Sequence, residues 1–525
     1  MSGPSGTSEL NGGAAVEAQA HSRSIDAAAR RLFSTPAARW LSLPVGASMA
    51  LAFAPFDWWW IAVLGTAYLF LVWGEATPRQ AAGTGFLFTA GTYAAGTYWL
   101  YHSIYEIGHA PIGLTIFAMA GLVAVMGAYT ASVGYALTRW VRIGGAVRTL
   151  LVLPAAIALL EWFRGWFLSG FPWLASGYSH LDTPLAGFAP VGGVYTVSFL
   201  VCVCAGAVAT LLFGNTRERM IAVGAIAAIW LAGFALWKRD WTDPVREPVT
   251  VAIVQGAVPQ ELKWDQEQFE ATLDLYRDLT KPHLGADIIV WPESALAAPV
   301  EYLHDYLSAR WTEARESGST LVLGQLRSDP ETGTQYHNAI LALDEQPQWY
   351  VKRRLVPLAE YFPVPKFVRD WLKGLDLPYS GFQAGKRSQP ALDAAGEKLG
   401  PTICYEDAYA SDQLEVLREA TLLVNVTNDA WFGDSSASHQ HLQISRMRAL
   451  EAGRTMLRAA NDGISAIIGP HGELERTLPR FEPGVLTGAV QPRIGLTPYA
   501  RVGNWPIVIA CMLIIAFGVL YPRRR

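Results

Sequence analysis

The sequence predicts a multi-pass α-helical membrane domain, an extramembrane α/β domain and a closing apolar helix. Three observations lead there. The 525 residues are 51% hydrophobic and 16% charged, with 20 Trp, too apolar and charge-poor for an ordinary soluble chain of this length. Charged residues are sparse from Trp40 to Trp237 and common from Arg239 to Arg493, before one last apolar run. From Val249 onward, short β-branched runs alternate with polar helical stretches, the pattern of an α/β fold.

A spanning helix needs roughly 17–25 mostly apolar residues. About eight transmembrane helices are expected, near 40–55, 58–74, 81–101, 112–138, 149–168, 193–213, 219–237 and 504–522. The first two are short, and "FAPFDWWW" (Phe53 to Trp60) between them reads as a tight turn or a re-entrant hairpin. Lys and Arg in the connecting loops set orientation. Arg30, Arg31 and Arg39 precede the first span, and Arg79 lies in the second loop. Arg139, Arg142 and Arg148 lie in the fourth, Arg217 and Arg219 in the sixth, and Arg523 to Arg525 end the chain. Loops 102–111 and 169–192 carry no Lys or Arg. This alternation places both termini in the cytoplasm and the large domain on the opposite face of the membrane. Lys238 and Arg239 run against it, but they lead into a large domain, where the rule has little force.

The division expected is a disordered cytoplasmic tail over 1–35, a seven-helix membrane domain over 36–240, an extramembrane domain over 245–500, and a C-terminal helix with basic tail over 503–525. The opening residues are rich in Gly, Ser and Ala and lack an apolar h-region, so they read as a tail and the first hairpin does the targeting. The net charge of −4, with basic residues that follow the topology, gives no reason to expect nucleic-acid binding.

In the extramembrane domain, "VTVAIVQG" (Val249 to Gly256), "ADIIVWPES" (Ala286 to Ser294), "STLVLGQL" (Ser319 to Leu326), "HNAILALD" (His337 to Asp344), "LGPTICYED" (Leu399 to Asp407), "ATLLVNVTND" (Ala420 to Asp429) and "ISAIIGPHG" (Ile464 to Gly472) read as strands. Their near-continuous apolar character suits strands buried on both faces. Helices are expected over Asp265 to Lys281, Tyr302 to Ser317 and Ser438 to Arg454.

Chemistry in such folds sits where strands end in loops. Glu293 in "WPES", Lys352 in "YVKRRLVPLAEYFP" and Cys404 in "CYED" stand at such ends. Each alone reads blandly, as a cap, a surface charge and a core thiol. Cys202, Cys204 and Cys511 lie in predicted spans and read as packing residues, which leaves Cys404 the one thiol outside the membrane. An unpaired thiol there is either buried and inert or kept free for its reactivity.

Taken together in chain order, the three resemble the Glu-Lys-Cys triad of the nitrilase superfamily, which implies an α-β-β-α sandwich. With eight spans the resemblance sharpens to the apolipoprotein N-acyltransferases. It rests on "VQGAVPQELKW" (Val254 to Trp264), "WPESAL", "KRRLVPLAEYFP", "CYE", "NDAWFG" (Asn428 to Gly433) and, in the membrane part, "EWFRGWFLSGFPW" (Glu161 to Trp173). Ala359 departs from the Gly more usual there, leaving Glu360 in place.

The resemblance implies that Glu293 takes the proton of Cys404, that Lys352 stabilises the oxyanion, and that a phospholipid acyl chain passes through a Cys404 thioester to the α-amine of a diacylglyceryl apolipoprotein. It implies no metal and no cofactor. Glu360 resembles a second essential carboxylate, Asn338 and Trp264 match supporting positions, and Tyr405 and Glu406 flank the nucleophile, where they would shape the acyl or oxyanion site. Asn428 and Asp429 read as a strand-end turn. The arm from Lys352 to Gly385, with "FPVPKFVRDWLKGLDLPYSGF" (Phe362 to Phe382), reads as a lid or lipid-contact loop. A monomer is expected. The rival readings are a membrane-anchored nitrilase-type amidase, and a non-enzymatic transporter or receptor that would use Glu161 and Arg164.

Overall fold

The computed structural model describes residues 31–329, 335–357, 359–361 and 381–521. Each of the eight apolar segments carries a helix. These are α1 (Pro36–Ser48), α2 (Trp60–Gly74), α3 (Pro78–Gly96), α4 (Ile112–Trp140), α5 (Gly145–Arg164), α6 (Pro184–Phe213), α7 (Thr216–Leu236) and, at the end of the chain, α11 (Trp505–Leu520). Four of them, α4 to α7, are long and apolar enough to cross a membrane, and α2 and α11 are shorter apolar helices. The stretch between α1 and α2 is a tight turn in which Phe53 is buried.

Residues 249–490 hold two six-stranded sheets. Its strands are β1 (Val249–Gln255), β2 (Ile288–Pro299), β3 (Thr320–Ser328), β4 (Tyr336–Leu343), β5 (Pro347–Val351), β6 (Leu392–Ala394), β7 (Glu397–Ile403), β8 (Leu422–Thr427), β9 (Met456–Ala460), β10 (Ala466–Ile468), β11 (Leu474–Thr477) and β12 (Gly484–Val490). One sheet runs in the order β12-β1-β2-β3-β4-β5 and the other β11-β10-β9-β8-β7-β6. The pairs β1/β2, β2/β3, β7/β8 and β8/β9 are parallel.

Alternation along each strand assigns its two faces. Val251, Ile253, Ile288 and Val290 of the first sheet pack with Leu399, Ile403, Val424 and Leu457 of the second, so the sheets share one apolar layer. Ala252, Val254, Ile289 and Trp291 face the other way, onto α8 (Gln266–Thr280) and α9 (His304–Glu316). The second sheet turns Leu423, Met456 and Ile468 toward α10 (Ala437–Ala452). The order of layers is therefore α-β-β-α, with each fully buried Val, Leu or Ile contributing about 1.5–3 kcal/mol.

Helix α10 is the joint of the molecule. Its sequence reads as polar, yet almost every residue is buried, because Leu442 and Ala449 face the sheet while Ile444, Met447 and Leu450 enter the core of the membrane helices. Polar side chains on it bind the membrane half directly. Gln440 Nε2 donates to Gly96 O at 3.3 Å, Gln443 Nε2 to Asp57 Oδ1 at 3.0 Å, and Arg446 Nη1 to Asp182 Oδ2 at 3.0 Å.

Several boundaries differ from those the sequence suggests. The strand expected to run through Asp407 stops at Ile403, and Cys404–Ala408 is a 3-10 turn. The strand expected over 464–472 is three residues long. Strand β9 has no clean apolar signature because a fully buried Arg458 interrupts its run, and β12 is a half-exposed edge strand with two glycines. The proposed lid segment 362–380 lies outside the described residues.

Candidate active site

Four strands and one turn build the site, with Lys352 and Cys404 at strand ends and Glu293, expected at one, inside β2 instead. Glu293 lies on β2 where pairing with β3 shifts register between Trp291 and Leu296, which turns its side chain out of the ladder. Gly324 of β3 passes so close that an added Cβ would stand 2.5 Å from the Glu293 Cα. Asn338 is on β4. Lys352 directly follows β5, and its N–H continues the ladder to Asn338 O at 2.8 Å. Cys404 follows β7, with φ +50, and Glu360 sits in the turn that returns to Val356.

These side chains form one buried cluster. Lys352 Nζ donates to Glu293 Oε1 at 3.2 Å and to Glu360 Oε1 at 2.9 Å. Asn338 Nδ2 donates to the same two oxygens, at 2.6 and 3.1 Å. The remaining oxygens accept backbone N–H groups: Glu293 Oε2 from Asn428 at 2.8 Å and Glu360 Oε2 from Val356 at 2.8 Å. The Lys352 ammonium and the Asn338 amide thus stand between the two carboxyl groups and tie them together. Burial alone would push the Lys352 ammonium down, but Glu293 and Glu360 more than offset it and hold the group above the ordinary lysine range. Lys352 is therefore a fixed cation at neutral pH.

The Cys404 thiol, part-open to solvent, feels the same charges. Burial pushes it well up, the Glu293 carboxylate pushes it further, and Lys352 and a Thr427 hydrogen bond pull it back. A resting neutral thiol beside a carboxylate and a fixed cation is the arrangement in which deprotonation accompanies attack.

Tyr405 and Glu406 follow Cys404 in its turn, with different surroundings. Glu406 is buried, and its oxygens accept from Tyr350 Oη at 2.8 Å, Ile403 N at 2.9 Å, Arg353 N at 2.6 Å and Arg354 N at 3.1 Å. All four partners belong to the framework that carries Lys352 and Cys404. Burial pushes its carboxyl up, and Arg353 and the backbone N–H groups pull it back. Tyr405 turns to the membrane half, donating to Gly170 O at 3.3 Å and stacking near Trp173. Trp264 is 55% exposed at the end of the helical turn Gln260–Lys263.

Three further charged groups stand around the cluster, and none reads from the sequence as part of it. Lys263 is buried and donates to the Glu293 carbonyl at 3.1 Å, and burial brings its amine down to about 8 despite Glu293 and Asp462. Asp462 is pushed up to about 7, by burial first and then by Asp429, and its Oδ1 has no hydrogen-bond partner. Behind Cys404, Asp429 is fixed by Arg458 at 3.0 Å, His441 at 2.9 Å and Thr427 at 2.9 Å. Its carboxyl is held well below the usual range: burial opposes this, and Arg458 and His441 outweigh burial. Lys263, Asp429 and Asp462 come from three separate turns of the chain, and only the fold brings them to the cluster.

In the membrane half, Arg164 and Glu161 are committed to a loop. Arg164 donates to Trp173 O at 2.7 Å and Leu174 O at 3.0 Å, and Glu161 Oε1 accepts from Ser176 N at 3.0 Å.

Known proteins resemble the chain over nearly its full length. The family described as the apolipoprotein N-acyltransferase N-terminal domain matches residues 45–207, and that described as carbon-nitrogen hydrolase matches 250–499. The apolipoprotein N-acyltransferase of Methylococcus capsulatus is 42% identical over 92% of this chain and 96% of its own. That of Azotobacter vinelandii is 41% identical over 92% and 95%. Among solved structures, an amidase from Nesterenkonia aligns with 50% of this chain and 97% of its own at 20% identity and a TM-score of 0.35.

Proposed function

The chain belongs to the apolipoprotein N-acyltransferase family, and from that premise we propose how its residues carry the reaction. It transfers a fatty acyl chain from a membrane phospholipid to the N-terminal amine of an apolipoprotein. Glu293 takes the Cys404 proton as the sulfur attacks the ester carbonyl. Lys352 stabilises the oxyanion of the tetrahedral intermediate. Collapse breaks the ester C–O bond, and the proton held by Glu293 passes to the departing lysophospholipid oxygen. The acceptor's α-amine, on the diacylglyceryl cysteine, then attacks the thioester, gives a proton to Glu293 and forms the amide, and the thiol is regenerated. A thioester is activated toward amines, so the transfer runs downhill with no external energy source.

The observation that supports this course best is the convergence of Glu293, Lys352 and Glu360 on one buried cluster whose charges act on Cys404. In this reading Glu360 and Asn338 hold Lys352 in place, Glu406 and Tyr405 hold the nucleophile's turn, and Trp264 meets substrate at the exposed rim. The membrane domain covers 36–240 with seven spans, an eighth follows at 503–525, both termini are cytoplasmic, and the hydrolase-like domain over 245–500 faces the periplasm. The helices present at all eight apolar segments and the loop charges support that topology. Placement beside the outer leaflet suits two lipid substrates.

Mass spectrometry of the full chain in detergent, incubated with phospholipid alone, tests the reading. An acyl adduct on Cys404 that is lost in Glu293→Ala is expected, and adding a diacylglyceryl peptide should discharge it as amide. Free fatty acid as the main product in the presence of the peptide would instead identify an amidase-type hydrolase.

A further inference from the structure

The backbone of Cys404 is in the left-handed region, φ +50, which costs a non-glycine residue on the order of 1–3 kcal/mol and persists only where surrounding contacts enforce it. One such contact comes from His441 on α10. Its Nε2 lies 3.1 Å from the Cys404 carbonyl oxygen. A carbonyl only accepts, so Nε2 carries the hydrogen. The ring's other nitrogen faces Asp429 Oδ1 at 2.9 Å and Arg458 Nη2 at 3.1 Å. Asp429 is itself held by Arg458 and Thr427. The imidazole is fully buried, and the rings of Trp173 and Phe432 stand against it, with centroids 5.8 and 6.1 Å away. Trp173 belongs to the membrane half and is tied to the neighbouring residue on α10, since its Nε1 donates to Gln440 Oε1 at 2.7 Å.

We propose that His441 is a positioning residue for the nucleophile: its Nε2–H pins the Cys404 carbonyl and so holds the turn that presents the thiol to Glu293 and Lys352. The peptide is planar, so fixing this carbonyl fixes the following peptide and the backbone from which the thiol projects. Asp429 and Arg458 set the ring from behind, and Trp173 closes it from the membrane side. The proposal rests on the reading of Cys404 as the acylated nucleophile.

Two substitutions separate this from a merely structural role. In His441→Gln the side-chain amide reaches the position of Nε2 and keeps a donor for Cys404. In His441→Asn the amide reaches only the position of Nδ1, which keeps the Asp429 contact and loses Cys404. The acylation step is followed in full-length protein in detergent, as the burst of lysophospholipid from a palmitoyl phosphatidylethanolamine without acceptor. The Asn variant should lose about 30- to 100-fold in acylation rate, the scale of a roughly 1 Å misplacement, with the phospholipid KM unchanged, while Gln stays within about fivefold of the native rate. Equal losses in both, a loss confined to KM, native rates in both, or failure of both to fold would each overturn the proposal. A native chain that forms no Cys404 adduct would instead remove its premise, and that result is distinguishable because it does not depend on the variants.

Discussion

Glu406→Gln is the substitution that most sharply separates a framework carboxylate from one that handles protons. The carboxylate receives four hydrogen bonds, two on each oxygen. An amide of the same shape has one acceptor oxygen. Its better orientation keeps that oxygen on the Arg353 and Arg354 N–H groups and turns the NH₂ toward Tyr350 and Ile403. The Tyr350 hydroxyl can rotate to accept, but the Ile403 N–H then faces a donor. One hydrogen bond to a charged group is lost, about 1.5–3 kcal/mol, and three others weaken to neutral strength, about 0.5–1 kcal/mol each, so the bracket loosens by roughly 3–6 kcal/mol. Ile403 immediately precedes the nucleophile, so the slack appears where a displacement of about 1 Å costs on the order of 100-fold in rate. Single-turnover acylation with phospholipid should therefore slow about 100-fold, with the shape of the pH–rate profile preserved, because Glu406 touches no reacting atom. A variant within about threefold of the native rate, or one whose profile shifts along the pH axis, would refute the framework role.

Two further outcomes are expected. Asp462, raised to about 7 in the folded protein, holds its proton longer there than in the unfolded chain, so stability falls as pH rises from about 4 to about 7 and stays low above that. Asp462→Asn removes the burial of a charged, unpartnered oxygen, worth about 1–3 kcal/mol. Its thermal-inactivation midpoint should thus gain more over the native protein at pH 8 than at pH 5, and equal gains at both would contradict the assignment. Trp371→Ala with Leu372→Ala, in the segment read as a lipid-contact loop, should slow acyl transfer from membranes while leaving the folded domain intact, and unchanged turnover would remove the lid.

What the sequence discloses depends on whether a signal is local. The seven apolar runs were legible as strands because β1 and β8 bury both faces, and the apolar segments of the membrane half were legible by length. Strand β9 was not, since Arg458 at its centre reads as a surface charge, and the Asp429 and Asp407 carboxylates with Asn425, Ser445 and His441 beside it make its burial tolerable. Helix α10 misleads similarly: Gln440, Gln443 and Glu451 suggest a solvated face, and become buried contacts because the helices of the N-terminal half cover them. Glu293, Lys352 and Cys404 could be proposed from chain order and motif. That Glu406 brackets the strand ends, or that His441 backs the thiol, depends on residues far apart in the chain, where no periodicity carries information.

The core shared by α10 and the membrane helices bears on how this enzyme can be dissected. A fragment beginning near Val249 would inherit every triad residue and both sheets, but Tyr405, Tyr409, Met447 and Leu450 would lose the apolar surface they pack against. Such a piece would be sticky in solution, and His441 behind Cys404 would lose the Trp173 ring that stands against it. The helical half is thus less a leash than half of the mould in which the thiol is cast.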